Sequence, residues 1–103
     1  MNPKFQIFRL ILDPPRAATL NMAIDEMLME SQALPNTIPI LRFYSWLSPA
    51  CSIGYFQNID KIAKRFQSIK TGIPIVRRIT GGGLVLHGQD LTFSITVKGD
   101  SPF

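Results

Sequence analysis

The sequence has one cysteine and one histidine among its 103 residues. A single cysteine excludes an internal disulfide, and one Cys with one His cannot build a common structural zinc site. No metal ligand set is therefore expected, and the cytoplasm is the natural compartment. Long apolar runs are also missing. None approaches the roughly 20 residues needed to span a bilayer, so no membrane partner is expected. The opening stretch MNPKFQIFRLILDPPR is interrupted by Gln6 and Arg9 and has no small-residue cleavage site. It reads as a strand, not a signal peptide. There is no internal repeat, linker or low-complexity tract. Nor is there a P-loop, because the glycine run lacks a following Gly-Lys-Ser/Thr, and no Ser-His-Asp order stands out.

What is present describes a globular chain. Hydrophobic residues make up 46% and charged residues 17%, far from a disordered composition. A chain of this size buries about two-thirds of its unfolded surface. The net charge of +4 is unevenly placed. Lys61, Lys64, Arg65, Lys70, Arg77 and Arg78 lie in one stretch without an acidic residue, whereas Asp25, Glu26 and Glu30 cluster earlier. A basic patch can meet nucleic acid, a phosphorylated ligand or an acidic protein. No nucleic-acid motif accompanies it, so nucleic acid is the weakest of the three. Lys61, Lys64 and Arg65 alone also fit a solvated helix face.

Periodicity gives the element order. Lys4 to Leu12 alternates and reads as a strand ending at Asp13-Pro14-Pro15. Leu20, Ala23, Ile24, Met27 and Leu28 then repeat at helical spacing, with Thr19 or Asn21 as candidate caps and Pro35 and Pro39 beyond the exit. Strands follow at Ile40–Trp46 and Cys51–Phe56, a basic helix at Ile59–Ile69, and strands at Ile73–Ile79, Leu84–His87 and Leu91–Val97. The last two are expected to pair. The order β-α-β-β-α-β-β-β predicts an α+β domain with two helices on a mixed, largely antiparallel sheet.

The chemistry concentrates in Arg77-Arg78-Ile79-Thr80-Gly81-Gly82-Gly83-Leu84-Val85-Leu86-His87. Three glycines leave backbone N–H groups uncovered by any Cβ, so a ligand can lie on the main chain. Adjacent guanidinium groups suit a carboxylate or phosphate. The flanking apolar strand suits the greasy part of an amphipathic ligand. A glycine-rich hairpin with solvated arginines is the alternative, and a lone His87 at a strand end reads first as a structural residue. Cys51 reads as a buried small hydrophobe, not a nucleophile.

Three segments carry a family resemblance: NMAIDEML (Asn21 to Leu28), RFYSWLSPACSIGYFQ (Arg42 to Gln57) and VRRITGGGLVLHGQDLTFSI (Val76 to Ile95). In order and spacing the chain resembles the N-terminal part of the lipoate–protein ligases and octanoyltransferases, relatives of the biotin–protein ligases. HGQDLTFS is closer to the octanoyltransferases that act from acyl carrier protein than to the ATP-dependent ligases, which more often show Asp after the His.

The resemblance implies the fold of the N-terminal half of the biotin/lipoate ligase catalytic domain. It implies that Arg78 and Thr80 flank the carboxyl or acyl-phosphate end of the ligand, that Gly81, Gly82 and Gly83 cradle it, and that Leu84, Val85 and Leu86 line the acyl channel with His87 at its edge. Asn21 and Asp25 would belong to a helix near that pocket, in a structural role. A lipoyl or octanoyl group would be the substrate, with no permanently bound cofactor, and ATP and Mg only in a ligase. The donor would be acyl carrier protein and the acceptor a lysine of a lipoyl domain or of the glycine-cleavage H protein. Lys61, Lys64, Arg65 and Lys70 could meet the acidic carrier. The family's essential lysine, and the acyl-carrying cysteine of one branch, lie downstream of the glycine loop, and neither Lys98 nor Cys51 occupies those positions. The expectation is therefore a truncated domain, 1–103, with no catalytic residue of its own, completed by a C-terminal partner chain or in a homo-oligomer. The alternatives are a non-catalytic acyl-binding or split-enzyme module and a fragment of an ATP-dependent lipoate–protein ligase.

Overall fold

A computed structural model describes residues 7–65 and 72–99. In chain order the elements are β1 (Arg9–Leu12), α1 (Ala18–Ser31), β2 (Ile40–Tyr44), β3 (Ala50–Ile53), α2 (Ile59–Arg65), β4 (Ile75–Arg77), β5 (Val85–His87) and β6 (Thr92–Thr96). The order and the two helices are those the periodicity predicts. The expected strand residues 4–6, helix residues 66–69, Lys70 and the side chain of Arg65 lie outside the described residues.

The strands form two small mixed sheets, β1-β2-β6 and β4-β3-β5. Each contains one parallel and one antiparallel pair, so the strands do not build a single, largely antiparallel sheet. In the first, α1 is the crossover that parallel β1 and β2 require. The expected hairpin between the last two strands is absent: β5 pairs with β3, and β6 with β2. The turn between them explains this. Asp90 Oδ1 accepts the Gly88 N–H at 2.8 Å while Oδ2 accepts the Thr92 hydroxyl. This folds Gly88-Gln89-Asp90 around a carboxylate instead of closing them into a hairpin turn.

Helix α1 begins without a side-chain cap. Ala17 is the N-cap, and Asn21, a candidate cap, turns its amide to the carbonyls of Arg16 and Ser45 instead. The inward face also differs from the expected stripe. Ala18, Asn21, Asp25 and Leu28 are buried, whereas Leu20 and Met27 are exposed. The cause is Arg42, which the alternation of β2 points inward with no exposed surface. A buried guanidinium must be paired. Its Nε donates to Asp13 Oδ2 at 2.8 Å, Nη1 to Asp25 Oδ1 at 2.9 Å and to the Asn21 carbonyl at 3.0 Å, and Nη2 to Asn21 Oδ1 at 2.8 Å. The polar face of α1 is thus drawn inward. Beside this network, Ala18, Tyr44, Trp46, Ala50 and Val76 form the apolar core, with Met22 packed on it.

Candidate functional site

Strands β3 and β4 deliver the glycine run to a fixed place. The Arg78 N–H donates to the Ile53 carbonyl and the Tyr55 N–H to the Thr80 carbonyl, each at 2.9 Å, so the chains leaving β3 and β4 run side by side. A Cβ on Gly54 would fall on the Gly82 carbonyl oxygen, and Gly82 itself has φ +105°. Glycine is required at both positions, for space at the first and for backbone conformation at the second.

The two arginines bind protein groups. Arg77 Nη1 donates to the carbonyls of Gly54, Tyr55 and Gln57, closing the turn after β3. Arg78 Nη2 donates to the carbonyls of Gly81 at 3.1 Å and Gly83 at 2.7 Å, while its Nη1 donates to Ser52 Oγ at 2.7 Å. The loop is therefore wrapped around a guanidinium. The carbonyls of Thr80, Gly81 and Gly83 are paired, yet the N–H groups of Gly81, Gly82 and Gly83 make no hydrogen bond among the described residues. Successive unpaired amides that converge can bind an anion or a polarised carbonyl oxygen.

A cavity of about 430 Å³ opens next to the start of the loop, with Thr80 on its wall and Gly81, Gly82 and Gly83 outside its lining. Arg78, Ile79 and Thr80 form one wall, and Met22 and Met29 of α1 another. Phe93, Ile95 and Val97 supply most of the remaining apolar lining, with Asp25, Tyr44 and Ser94 among the polar residues. Those polar groups are satisfied among themselves: the Tyr44 and Ser94 hydroxyls both donate to the Asp25 carboxylate. Burial, reinforced by the adjacent Asp25 charge, raises the Tyr44 pKa, so the phenol remains a donor. Leu84, Val85, Leu86 and His87 do not line this cavity, and Val85 and Leu86 are 43% and 62% exposed. A smaller recess of about 310 Å³ shares Met22, Arg78 and Ile79 and adds Tyr55, Arg77 and Glu26.

His87 lies behind the loop. Its Nε2 is 2.8 Å from Ser52 Oγ and its Nδ1 2.8 Å from Asp90 Oδ2, while its ring stacks on Trp46. Burial works to raise the Asp90 pKa, but bonds from His87, the Gly88 N–H and Thr92 outweigh it and bring it down to about 2. An ionised Asp90 only accepts, so Nδ1 carries a proton, and in the neutral imidazole Nε2 then accepts from the Ser52 hydroxyl. A Ser-His-Asp arrangement is thus present where sequence order showed none. Ser52 and Asp90 were legible only in part: the His-x-x-Asp spacing was a usable signal, whereas Ser52 needed the strand register.

Cys51 is buried, and burial pushes its thiol pKa up against the opposing Arg78 charge. Lys61 and Lys64 are exposed on α2 and line neither cavity. Among the described residues, no helix is long and apolar enough to cross a membrane.

The octanoyltransferase LipM of Moorella thermoacetica is 42% identical over 82 residues, which are 80% of this chain and 30% of that protein. The chain thus spans about a third of the length of the curated relatives it matches. Among solved structures, protein Ta0514 of T. acidophilum with bound lipoic acid aligns at a TM-score of 0.67 and 36% identity, covering 90% of this chain and 39% of that one. Lipoate-protein ligase A bound with ATP aligns at a TM-score of 0.67 and 36% identity, covering 90% of this chain and 38% of that one. The model of the lipoyl protein ligase A/B catalytic domain matches residues 17–103, and the chain belongs to that family.

Proposed function

We propose that the chain is the acyl-binding part of a lipoyl or octanoyl transferase, with the acyl tail in the cavity between α1 and β6 and the carboxyl or carbonyl end on the glycine loop. The observation that carries this reading is the set of unpaired Gly81, Gly82 and Gly83 N–H groups that follow directly on Thr80, which lines an apolar cavity. An eight-carbon chain gains about 0.8 kcal/mol per buried CH₂, several kcal/mol before entropy costs. The loop amides then supply what acyl transfer needs, donors placed where charge develops on the carbonyl oxygen. Arg78 acts from behind the loop through its charge and its grip on the carbonyls, and Thr80 flanks the polar end. Leu84, Val85 and Leu86 continue the apolar surface outside the cavity. Cys51 is not the nucleophile, because it is buried and its thiol pKa is raised.

The whole protein would work in the cytoplasm, moving the acyl group from acyl carrier protein onto a lysine of a lipoyl domain or the glycine-cleavage H protein. Exposed Lys61 and Lys64 would steer the acidic carrier. The similarity to LipM proteins favours this transferase reading. The second reading, an ATP-dependent ligase, is supported by the ATP-bound relative and by the smaller recess, where Tyr55, Arg77 and Arg78 would receive a nucleotide.

Calorimetry with octanoate and lipoate tests the shared core of both readings. Micromolar to sub-millimolar binding is expected, weakened about tenfold or more by Arg78→Ala. No binding at millimolar ligand would reject it. Lipoate- and ATP-dependent pyrophosphate release by the full-length gene product would select the ligase reading over thioester transfer.

A further inference from the structure

Ser52, Arg78, His87 and Asp90 form one continuous chain of hydrogen bonds across three strands. The strand register builds it. Ser52 lies opposite Val76 of β4 on one side and Val85 of β5 on the other. Arg78 and His87 each stand two residues beyond those partners, hence on the same face, and both reach the one hydroxyl between them. Proton order follows from the donors: Arg78 Nη1–H to Ser52 Oγ, Ser52 O–H to His87 Nε2, His87 Nδ1–H to Asp90. The distances are those of a hydrolytic triad, yet Ser52 has no exposed surface. Its oxygen is held by Arg78 and enclosed by protein, which leaves a substrate carbonyl no approach to it. The chain of bonds orients groups instead of attacking.

We propose that Ser52, oriented by the His87–Asp90 pair, is a positioning residue for the ligand loop. It anchors Arg78 Nη1, and because the guanidinium is planar and rigid, that anchor sets Nη2 against the Gly81 and Gly83 carbonyls. The loop amides are thereby kept unpaired for an acyl carboxylate or carbonyl. The ring stack with Trp46, at 3.9 Å between centroids, fixes the imidazole plane. The ligand part of this inference rests on the acyl-binding reading, whereas the anchoring of Arg78 does not.

The test uses two variants and two readouts on the full chain. Ser52→Ala removes the hydroxyl. His87→Phe keeps a planar ring against Trp46 but removes both nitrogens, so a packing role alone would leave it like the parent. By nitrogen-15 NMR, the parent should show His87 protonated on Nδ1 and slowly rotating Arg78 guanidinium signals. Both variants should collapse those Arg78 signals and weaken octanoate binding about tenfold, and the double variant should be no weaker than either single one. Unchanged Arg78 signals in Ser52→Ala, or a His87 proton on Nε2, overturns the proposal. If the parent binds no octanoate, the acyl-binding reading fails, and the Arg78 signals still decide the positioning role.

Discussion

The indole of Trp46 lies flat on the imidazole of His87, ring centroids 3.9 Å apart and planes 15° from parallel. The same indole donates its N–H to Thr92 Oγ1 at 2.9 Å, and the Thr92 hydroxyl donates to Asp90. Trp46 therefore reaches the His87–Asp90 pair at both ends, directly at the imidazole and through Thr92 at the carboxylate. It follows β2 of one sheet, whereas His87 ends β5 of the other, so this contact joins the two sheets behind the glycine loop. Trp46→Ala should cost about 3–5 kcal/mol, as for other buried aromatic truncations, measured by urea unfolding followed by circular dichroism. Trp46→Phe keeps a stacking ring and should lose less than half of that.

The glycines of the loop are not equivalent. Gly54→Ala would drive a methyl group into the Gly82 carbonyl, and Gly82→Ala would place a side chain at φ +105°. Overpacking of the first kind typically costs about 1–3 kcal/mol, and the left-handed backbone of the second about 1–2 kcal/mol. A Cβ on Gly81 or Gly83 meets nothing within 4 Å. Gly81→Ala and Gly83→Ala should therefore change stability by less than about 0.5 kcal/mol, while octanoate affinity falls if a ligand lies on those residues. Thermal unfolding and calorimetry on the four variants separate the two effects.

Arg42 makes the sharpest stability prediction. It has no exposed side-chain surface and pairs with two carboxylates, Asp13 and Asp25. Removing one partner of a buried ion pair leaves the other uncompensated and costs about 3–5 kcal/mol. Arg42→Ala should reach that range in urea unfolding. Arg16→Ala, which removes a part-exposed partner of Asp13, should stay below about 1 kcal/mol.

This contrast also shows what the sequence could and could not tell. Helix α1 was legible because Ala23, Ile24, Met27 and Leu28 recur at its period. Its buried face was not, because the decisive partner is an arginine far along the chain, and hydrophobic periodicity does not register a buried cation. The glycine run stood out from composition alone, and it lies in the loop between β4 and β5. The use of Arg78 was not legible: a guanidinium beside glycines can face a ligand or grip the loop's own carbonyls, and only the Ser52 register decides. Likewise, alternation found β5 and β6 but not their separation. That depends on Asp90 drawing its turn around itself, with the tilted Phe43–Phe93 pair on the β2–β6 ladder.

Asp90 links the site to pH. Its native pKa, about 2, lies below the ordinary value of 3.8. A depressed carboxylate pKa stabilises the fold above the unfolded pKa, and the contribution is lost as pH falls through the native one. Asp13 is shifted in the same direction: burial opposes the shift, but bonds and charge from Arg42 and Arg16 prevail. The urea midpoint should therefore hold steady from about pH 6 to pH 5 with respect to these groups and decline between about pH 4 and pH 2. In Asp90→Asn the decline should be shallower, and the gap to the parent protein should narrow as pH approaches 2. Asp90→Asn also replaces an obligate acceptor with an amide that can present either end to His87, so the Nδ1-protonated form is no longer enforced. Loss of that tautomer signal at neutral pH, with α1 and both sheets intact by circular dichroism, would tie the acid sensitivity to the carboxylate that orients His87. A decline equally steep in parent and variant would assign it to Asp13 and the Arg42 network.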